Sequence, residues 1–450
     1  MVSPLLNDTI TLLQELIRNA CVNDGTPLSG QEVRNADTLE RFLRADPAVA
    51  ETIDIQRIEP TPGRVTLVAT VRGDGTGEPL TYMGHTDVVP VEPEKWTVAP
   101  FGGDIIDGRI YGRGSMDMLF MTAAMAVTCR EVARRGTPHG DFAFVGAADE
   151  EARATYGARW IYENEPSAFS WHNVISETGG SHLNLFDGSD GLVVVIGEKG
   201  GEQRRITVHG EAGHASNPYG RDSTVAKLGE VIRRLAQIAV PVSSDPTWQG
   251  YVRAFGFPPE VERILLSGGT VEEEREAFGY FGELARYSHA MSRLEIAPTV
   301  VNAGSAINVL PATATLLVDM RQLPGTTSES VDAMLRDALG DLAEDVSIEH
   351  LIVEPASVSS TDTALYRAME DTLHEFYPDA RVVPTNAAGG SDLRYARYLG
   401  GNGYGFGLHA PARTLGTVFQ HIHAADEYVD IEDVDLTLQA YLRLAERFLW

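Results

Sequence analysis

The chain has 450 residues, more than one hydrophobic core usually supports, so two structural units are expected. Its 36 basic and 64 acidic side chains leave a formal net charge of −28, a surface that repels nucleic acid and anionic lipid at long range. The two cysteines, Cys21 and Cys129, lie far apart; this argues against a disulfide framework or a thiolate zinc site and suits a reducing, cytoplasmic compartment.

At the start, Leu5, Leu6, Ile10, Leu13, Leu16 and Ile17 repeat at helical spacing, with Asn7 and Asp8 as the expected cap. No basic segment precedes an apolar run, so no secretory signal is expected. No stretch reads as a membrane span. Arg64 to Val71 and Leu80 to Met83 read as strands, and Met116 to Arg134 as an Ala- and Met-rich helix. Asp141 to Ala147 reads as a strand, Tyr156 to Glu165 as a helix and Asn173 to Ser176 as a short buried strand. Alternation of this kind predicts an α/β sheet covered by helices.

From about residue 197 the pattern changes. Glu202 to His209 alternates as a half-exposed strand, and Val225, Leu228, Ile232 and Leu235 mark one helix face. Strands near Thr299 to Ala303 and Thr313 to Met320, a helix at Ser328 to Leu342 and a strand at Val346 to Val353 complete a β-α-β-β-α-β order. The free face of that small sheet is open to solvent or to a second subunit. An acidic, helical stretch over 245–292, with Glu272, Glu273 and Glu274, interrupts it and reads as a solvated cover. The chain ends in an amphipathic helix, Leu436 to Leu449. The expected fold is thus a split α/β domain, 1–196 and 354–450, with a mixed sheet covered by helices, and an inserted α+β domain at 197–353.

Acidic and imidazole side chains end successive strands of the α/β part, where open sheets carry their sites. His85 and Asp87 follow the strand at Leu80; Asp87 is placed to accept the second ring N–H of His85. Asp117 lies in Gly112-Arg113-Gly114-Ser115-Met116-Asp117, where it reads as a helix cap or a bridging carboxylate. Asp149-Glu150-Glu151 ends an apolar strand, a costly place for acids unless a cation compensates them. One could bind metal while its neighbour activates water. Glu177 ends the strand at Asn173, and either His421 or His423 could be a further ligand. Imidazole and carboxylate donors with a shared carboxylate suit a pair of divalent ions.

The ordered set HTDVV, GRGSMDM, DEE, ET and HAADEY resembles the zinc aminoacylase, glutamate carboxypeptidase and succinyl-diaminopimelate desuccinylase family of metallopeptidases over essentially the whole chain. The resemblance implies that Asp117 bridges two metals, that His85 and Glu177 complete one site, and that Glu151 and His423 complete the other. It makes Glu150 the general base and Asp87 the residue that orients His85. It identifies His214, in Gly213-His214-Ala215-Ser216, with a lid histidine that polarises the scissile carbonyl, often from a partner subunit. Asn308 and Arg321 match substrate contacts, Arg321 as a fork for a carboxylate. Gly389-Gly390-Ser391-Asp392 matches a loop lining the pocket. One departure stands beside Asp117: Leu119-Phe120 replaces the Lys-Gly common in the family.

The expected function is therefore di-metal hydrolysis of an amide in a small peptide or N-acyl amino acid with a free carboxylate. Metal-bound hydroxide is the nucleophile and Glu150 the base. Two divalent ions are the cofactors, zinc first, with cobalt or manganese as alternatives. A homodimer through the inserted domain fits this reading. The competing reading, a non-catalytic metal- or ligand-binding relative, would show a lost ligand or base, and none is missing.

Overall fold

A computed structural model describes residues 3–450. The strands Leu80–His85, Phe142–Ala147 and Asn173–Ser176 are buried along their whole length. Their continuous burial suits parallel strands covered on both faces, and the three lie side by side in parallel. They form the centre of a ten-stranded mixed sheet. On one side Phe142–Ala147 pairs with Arg64–Val71, which pairs with the edge strand Ile53–Thr61. On the other, Asn173–Ser176 pairs with Asn402–Gly405, next to Asp190–Glu198 and Arg381–Ala387. The strands after residue 380 are thus hydrogen-bonded to strands before 199, so the two stretches make one sheet.

The helices Pro4–Arg18, Phe120–Arg135 and Ile431–Leu449 cover one face and share the largest core with it. Phe120–Arg135 is buried almost all round, which its small Ala and flexible Met side chains permit. The first helix begins earlier than its apolar pattern suggests. Ser3 caps it, its side chain accepting from the Leu6 N–H at 3.1 Å, and Pro4 at the first helical position is preorganised for the start. Asn7 and Asp8 lie inside the helix and are not its cap. The helix expected from Met116 starts only at Phe120. Ser115–Leu119 forms a distorted turn in which Asp117 has φ −117° and ψ 98°, outside helical space, and the Asp117–Met118 peptide is cis.

The inserted unit is a four-stranded antiparallel sheet ordered Glu295–Ala303, Thr313–Gln322, Gly200–His209 and Val346–Glu354. Helices Thr224–Leu235 and Ser328–Leu339 bury one face, with Ile206, Leu228, Val231, Leu316, Val318 and Leu335 in the core between them. Along the outer strands Val300, Val301 and Val353 are exposed.

Residues 245–292 depart from expectation. They are helical, as Pro246–Ala254, Pro259–Ser267, Val271–Gly279 and Ala285–Ser292, but they are no solvated cover and do not enlarge the small sheet. Trp248, Tyr251, Phe255 and Phe281 pack with Val193, Val195 and Val383 of the large sheet in one buried cluster. The acids that dominate this stretch are disposed separately. Glu272, Glu273 and Glu274 occupy the first turn of Val271–Gly279, and Glu273 closes a capping box with Thr270. Carboxylates are favoured at a helix N-terminus, so the acids decorate helix ends while the aromatics make the core.

Candidate metal centre

Each proposed donor sits where a strand or its following turn stops. His85 is the last residue of Leu80–His85 and is buried. Gly84 before it faces helix Phe120–Arg135, where an added Cβ would meet Thr122 Oγ1 at 2.4 Å, so the strand packs there only with glycine. His85 Nδ1 lies 3.0 Å from the backbone carbonyl of Asp87, and Nε2 lies 3.1 Å from Asp117 Oδ1 and 3.9 Å from Glu177 Oε2. A donor bond from Nδ1 directs Nε2 toward the acids. On the far side, His423 Nε2 lies 3.3 Å from Asp117 Oδ2 and 3.4 Å from Glu151 Oε2. Asp117 thus presents one oxygen to each imidazole, and two donor triads share it: His85–Asp117–Glu177 and His423–Asp117–Glu151. Two groupings that cross these triads also fall within metal-binding reach, His85 with Asp117 and Glu151, and His85 with Glu150 and Glu177. His421 turns away, its Nδ1 on the Thr417 carbonyl at 2.7 Å and its ring against Tyr428.

The Asp87 carboxylate does something other than orient His85. It is 3.7 Å from Nδ1, farther than the carbonyl. Its oxygens instead accept the N–H groups of Glu150 at 3.2 Å and Glu151 at 3.1 Å, and an Asn23 amide N–H at 2.8 Å. The backbone of Asp87 therefore holds the histidine, while its side chain holds the adjacent base and ligand candidates. Behind it, Asp149 sits in left-handed space at φ 67° and is buried against Arg64 and Asn23. That strained position is sustained by its bonds.

Glu427 and Arg113 form a buried clasp to which the sequence reading assigned no role. Glu427 Oε1 accepts the N–H of Met116 at 2.9 Å and of Asp117 at 3.1 Å, and Oε2 pairs with Arg113 at 2.6 Å. Arg113 also donates to the carbonyls of His423 and Ala424, each at 3.1 Å. The pair locks the Asp117 turn to the His423 loop. The signal was present as the acids after His423, but the partners of Glu427, the distant Arg113 and two backbone N–H groups, leave no mark beside it in sequence. Glu427→Gln is expected to weaken metal affinity roughly 10- to 100-fold, as removing an outer partner of a ligand does, with activity recovered in excess metal. Metal titration of the variant checks this, and unchanged affinity would make the clasp purely structural.

The donor set fits divalent cations. Asp117, Glu150, Glu151, Glu177 and Asp392 converge in one region, with the imidazoles of His85 and His423 among them and the Arg394 guanidinium near Asp392. Burial pushes the Glu150 and Glu177 carboxyls well above the ordinary range, helped for Glu150 by the Glu177 charge and for Glu177 by Asp117. Burial likewise pushes Asp392 up to about 7. Asp117 goes the other way: hydrogen bonds from His423 and His85 outweigh burial and hold it below the usual carboxylate range. Glu151 Oε1 and Asp392 Oδ2 are buried without a protein hydrogen-bond partner. Unpartnered buried carboxylate oxygens are costly, and a divalent cation would satisfy them here.

Two cavities open from this region. Both are lined by Glu150, Glu151, Gly389, Gly390, Ser391 and His423. One, of about 420 Å³, is polar and runs to the small sheet, reaching Gln203, Arg321 and Arg394. Arg394 is engaged by Glu198 at 2.7 Å and Glu354 at 2.8 Å. Arg321 gives only its Nε to Asp319 at 2.9 Å among the described residues, leaving the end of its fork toward the cavity. The other, of about 250 Å³, is mainly apolar and borders the helical insertion. Ser391 donates to Glu198 Oε2 at 2.7 Å, and Gly390 admits the close approach of Arg394. His214 and Asn308 line neither cavity. They lie together on an exposed part of the small domain, where Gly213–His214 pairs with Val309–Leu310 and His214 Nδ1 contacts Ser216 Oγ at 2.7 Å.

The model of Peptidase family M20/M25/M40 matches residues 81–447. The chain is 27% identical over 390 residues to the N-fatty-acyl-amino acid synthase/hydrolase PM20D1 of Xenopus tropicalis, covering 82% of this chain and 72% of that one. It is 26% identical over 450 residues to a succinyl-diaminopimelate desuccinylase of Rhodospirillum centenum, covering 98% and 97%. Among solved structures, the M20 family metallo-carboxypeptidase Sso-CP2 of Sulfolobus solfataricus superposes with a TM-score of 0.70 at 19% identity, over 99% of both chains.

Proposed function

The chain belongs to peptidase family M20/M25/M40 and is a metal-dependent hydrolase of amide bonds, and we propose that its substrate is an N-acyl amino acid or small peptide whose free carboxylate pairs with Arg321. Asp117 would bridge two divalent ions, with His85 and Glu177 holding one and Glu151 and His423 the other. Zinc is the first choice for such nitrogen and oxygen donors. When bound, the ions polarise the scissile carbonyl and acidify a water. Glu150, clamped by Asp87 through its backbone, takes the proton from the attacking water and delivers it to the leaving nitrogen. Arg321 orients the substrate by its carboxylate and is not consumed in the chemistry.

The observation that carries this reading is the convergence of buried acids on two imidazoles, with a polar cavity that Arg321 lines on one side. The relatives named N-fatty-acyl-amino acid hydrolase and succinyl-diaminopimelate desuccinylase support an N-acylated amine as substrate. We assign His214 to the developing oxyanion, brought by closure of the small domain or by a second subunit. The exposed edge strand Glu295–Ala303, with Val300 and Val301 bare, supports such a homodimer. Two buried free thiols, Cys21 and Cys129, suit a reducing cytoplasm, and no helix among the described residues is long and apolar enough to cross a membrane.

The test is hydrolysis of a panel of N-acyl amino acids and dipeptides with zinc, cobalt or manganese, before and after chelation. Chelator-sensitive cleavage, lost when the substrate carboxylate is amidated, is expected. Cleavage that survives chelation would overturn the metal assignment, and indifference to amidation would overturn the role of Arg321.

A further inference from the structure

The cavity of about 250 Å³ differs from the polar one in what lines it. Away from the metal donors its walls include Phe120, Met121, Val195, Tyr287, Val418 and Phe419. Among the described residues no Lys or Arg lines it, and its charged side chains are the metal-centre acids, beside the imidazoles of His423 and His409. Two of the apolar walls depend on the helical insertion. Tyr287 stands on its last helix, Ala285–Ser292, and donates its hydroxyl to the Asn386 carbonyl at 2.6 Å, while its ring lies 5.0 Å from Phe419. Glu283, just before that helix, accepts from Thr414 Oγ1 at 2.8 Å. Thr414 caps Leu415–His421, the helix that carries Val418 and Phe419 and leads to His423. The insertion therefore supplies one wall and fixes another. Phe120 is buried with its ring against His409.

We infer that this cavity receives the acyl side of the scissile amide, that it selects an unbranched apolar acyl chain, and that it excludes a succinyl group. The inference rests on the amide-hydrolase reading and adds the substrate class. At roughly 30 Å³ per water-sized group, the space, which the metal-centre side chains also line, holds about eight heavy atoms at most, so an octanoyl chain is the longest it would take. Each methylene moved from water to such a wall is worth about three- to fourfold in binding. A succinyl carboxylate placed there would lose its hydration with no cationic side chain to replace it. The reaction is ordinary hydrolysis: water adds to the carbonyl carbon, the C–N bond breaks, and its proton leaves with the amine. The polar cavity then holds the amino acid carboxylate at Arg321, across the metal centre from the acyl chain.

The experiment compares N-octanoyl, N-acetyl and N-succinyl derivatives of one amino acid on the metal-loaded enzyme, with calorimetry of octanamide and succinamate alongside. We expect kcat/KM to rise at least tenfold from acetyl to octanoyl and to be lowest for succinyl, and octanamide alone to bind, with a negative heat-capacity change. Phe419→Glu, which brings charge to a half-exposed wall, is expected to lower the octanoyl-to-acetyl ratio at least tenfold. Ala388→Phe, which fills the cavity, should move the preference to shorter chains, and it serves if the first variant does not fold. A flat or inverted series with no octanamide binding, while some amide is cleaved, overturns the inference alone. Octanamide binding without turnover of any amide upholds the cavity and overturns the hydrolase reading instead.

Discussion

Asp117→Asn is expected to cost the enzyme both metal ions. Among the described residues, Asp117 alone has a separate oxygen near each imidazole, 3.1 Å from His85 and 3.3 Å from His423. An amide offers one weak oxygen donor and an NH₂ group, so it cannot bridge two cations. The loss of affinity should exceed the ~100-fold typical of removing an outer-shell partner, and activity should vanish at any metal concentration that wild type needs. Metal analysis after gel filtration reads the ion count per chain. Thermal unfolding gives a second readout: metal raises the melting temperature of wild type by binding only the native state, and that rise should disappear in the variant. Retention of one tightly held ion would show that one triad is complete without Asp117 and that the bridge is not shared.

The positions of the donors were legible because they follow a rule of sheets. Buried runs such as Leu80 to Met83 and Asn173 to Ser176 end abruptly in His85 and Glu177, and polar groups at the ends of buried parallel strands have few structural reasons to be there. The β-α-β-β-α-β order was legible from alternation, since strands such as Thr313–Gln322 bury every second residue. What was not legible depends on partners distant in sequence. The insertion reads as acidic because Glu272, Glu273 and Glu274 dominate its composition, yet the location of its core is set by Trp248 and Phe281 meeting Val193 and Val383. The Asp87 carboxylate finds backbone N–H groups of Glu150 and Glu151, and every residue but proline offers one. The turn at Asp117 reads as a helix start because glycine, serine and aspartate favour one, while its extended backbone is held by Glu427 from the far end of the chain.

These long-range ties give the site a common design. Asp87 joins the strand end at His85 to the turn at Glu150 and Glu151, and Glu427 with Arg113 joins the turn at Asp117 to the loop at His423. Both are buried acids whose hydrogen bonds go chiefly to backbone N–H groups, so each fixes the path of the chain beside a donor. The donors themselves are left with free oxygens, as Glu151 Oε1 is. Rigidity is thus assigned to residues that bind no metal, and the like-charged cluster they enclose is stable to the extent that cations occupy it.

Glu150→Gln separates the base from the ligands. Glu150 lines both cavities and shares its turn with Glu151, but it stands outside the two triads that meet at Asp117. The glutamine side chain keeps its shape and cannot accept a proton, and the Asp87 clamp on the backbone N–H is untouched. Turnover is therefore expected to fall by roughly 10²- to 10⁴-fold, the usual worth of a positioned general base, with KM little changed and two metals still bound per chain. Removing one acid from a cluster of buried carboxylates should not lower the stability of the metal-free protein, since burial and the Glu177 charge already disfavour its ionised form. The grouping of His85, Glu150 and Glu177 supplies the rival outcome. If Glu150 is instead a ligand, the variant will lose metal, and excess metal will restore rate. Steady-state kinetics alongside metal analysis tells the two apart: a slow enzyme with a full complement of ions identifies the base, and a slow enzyme short of metal moves Glu150 into the coordination shell and leaves the proton transfer to be assigned elsewhere.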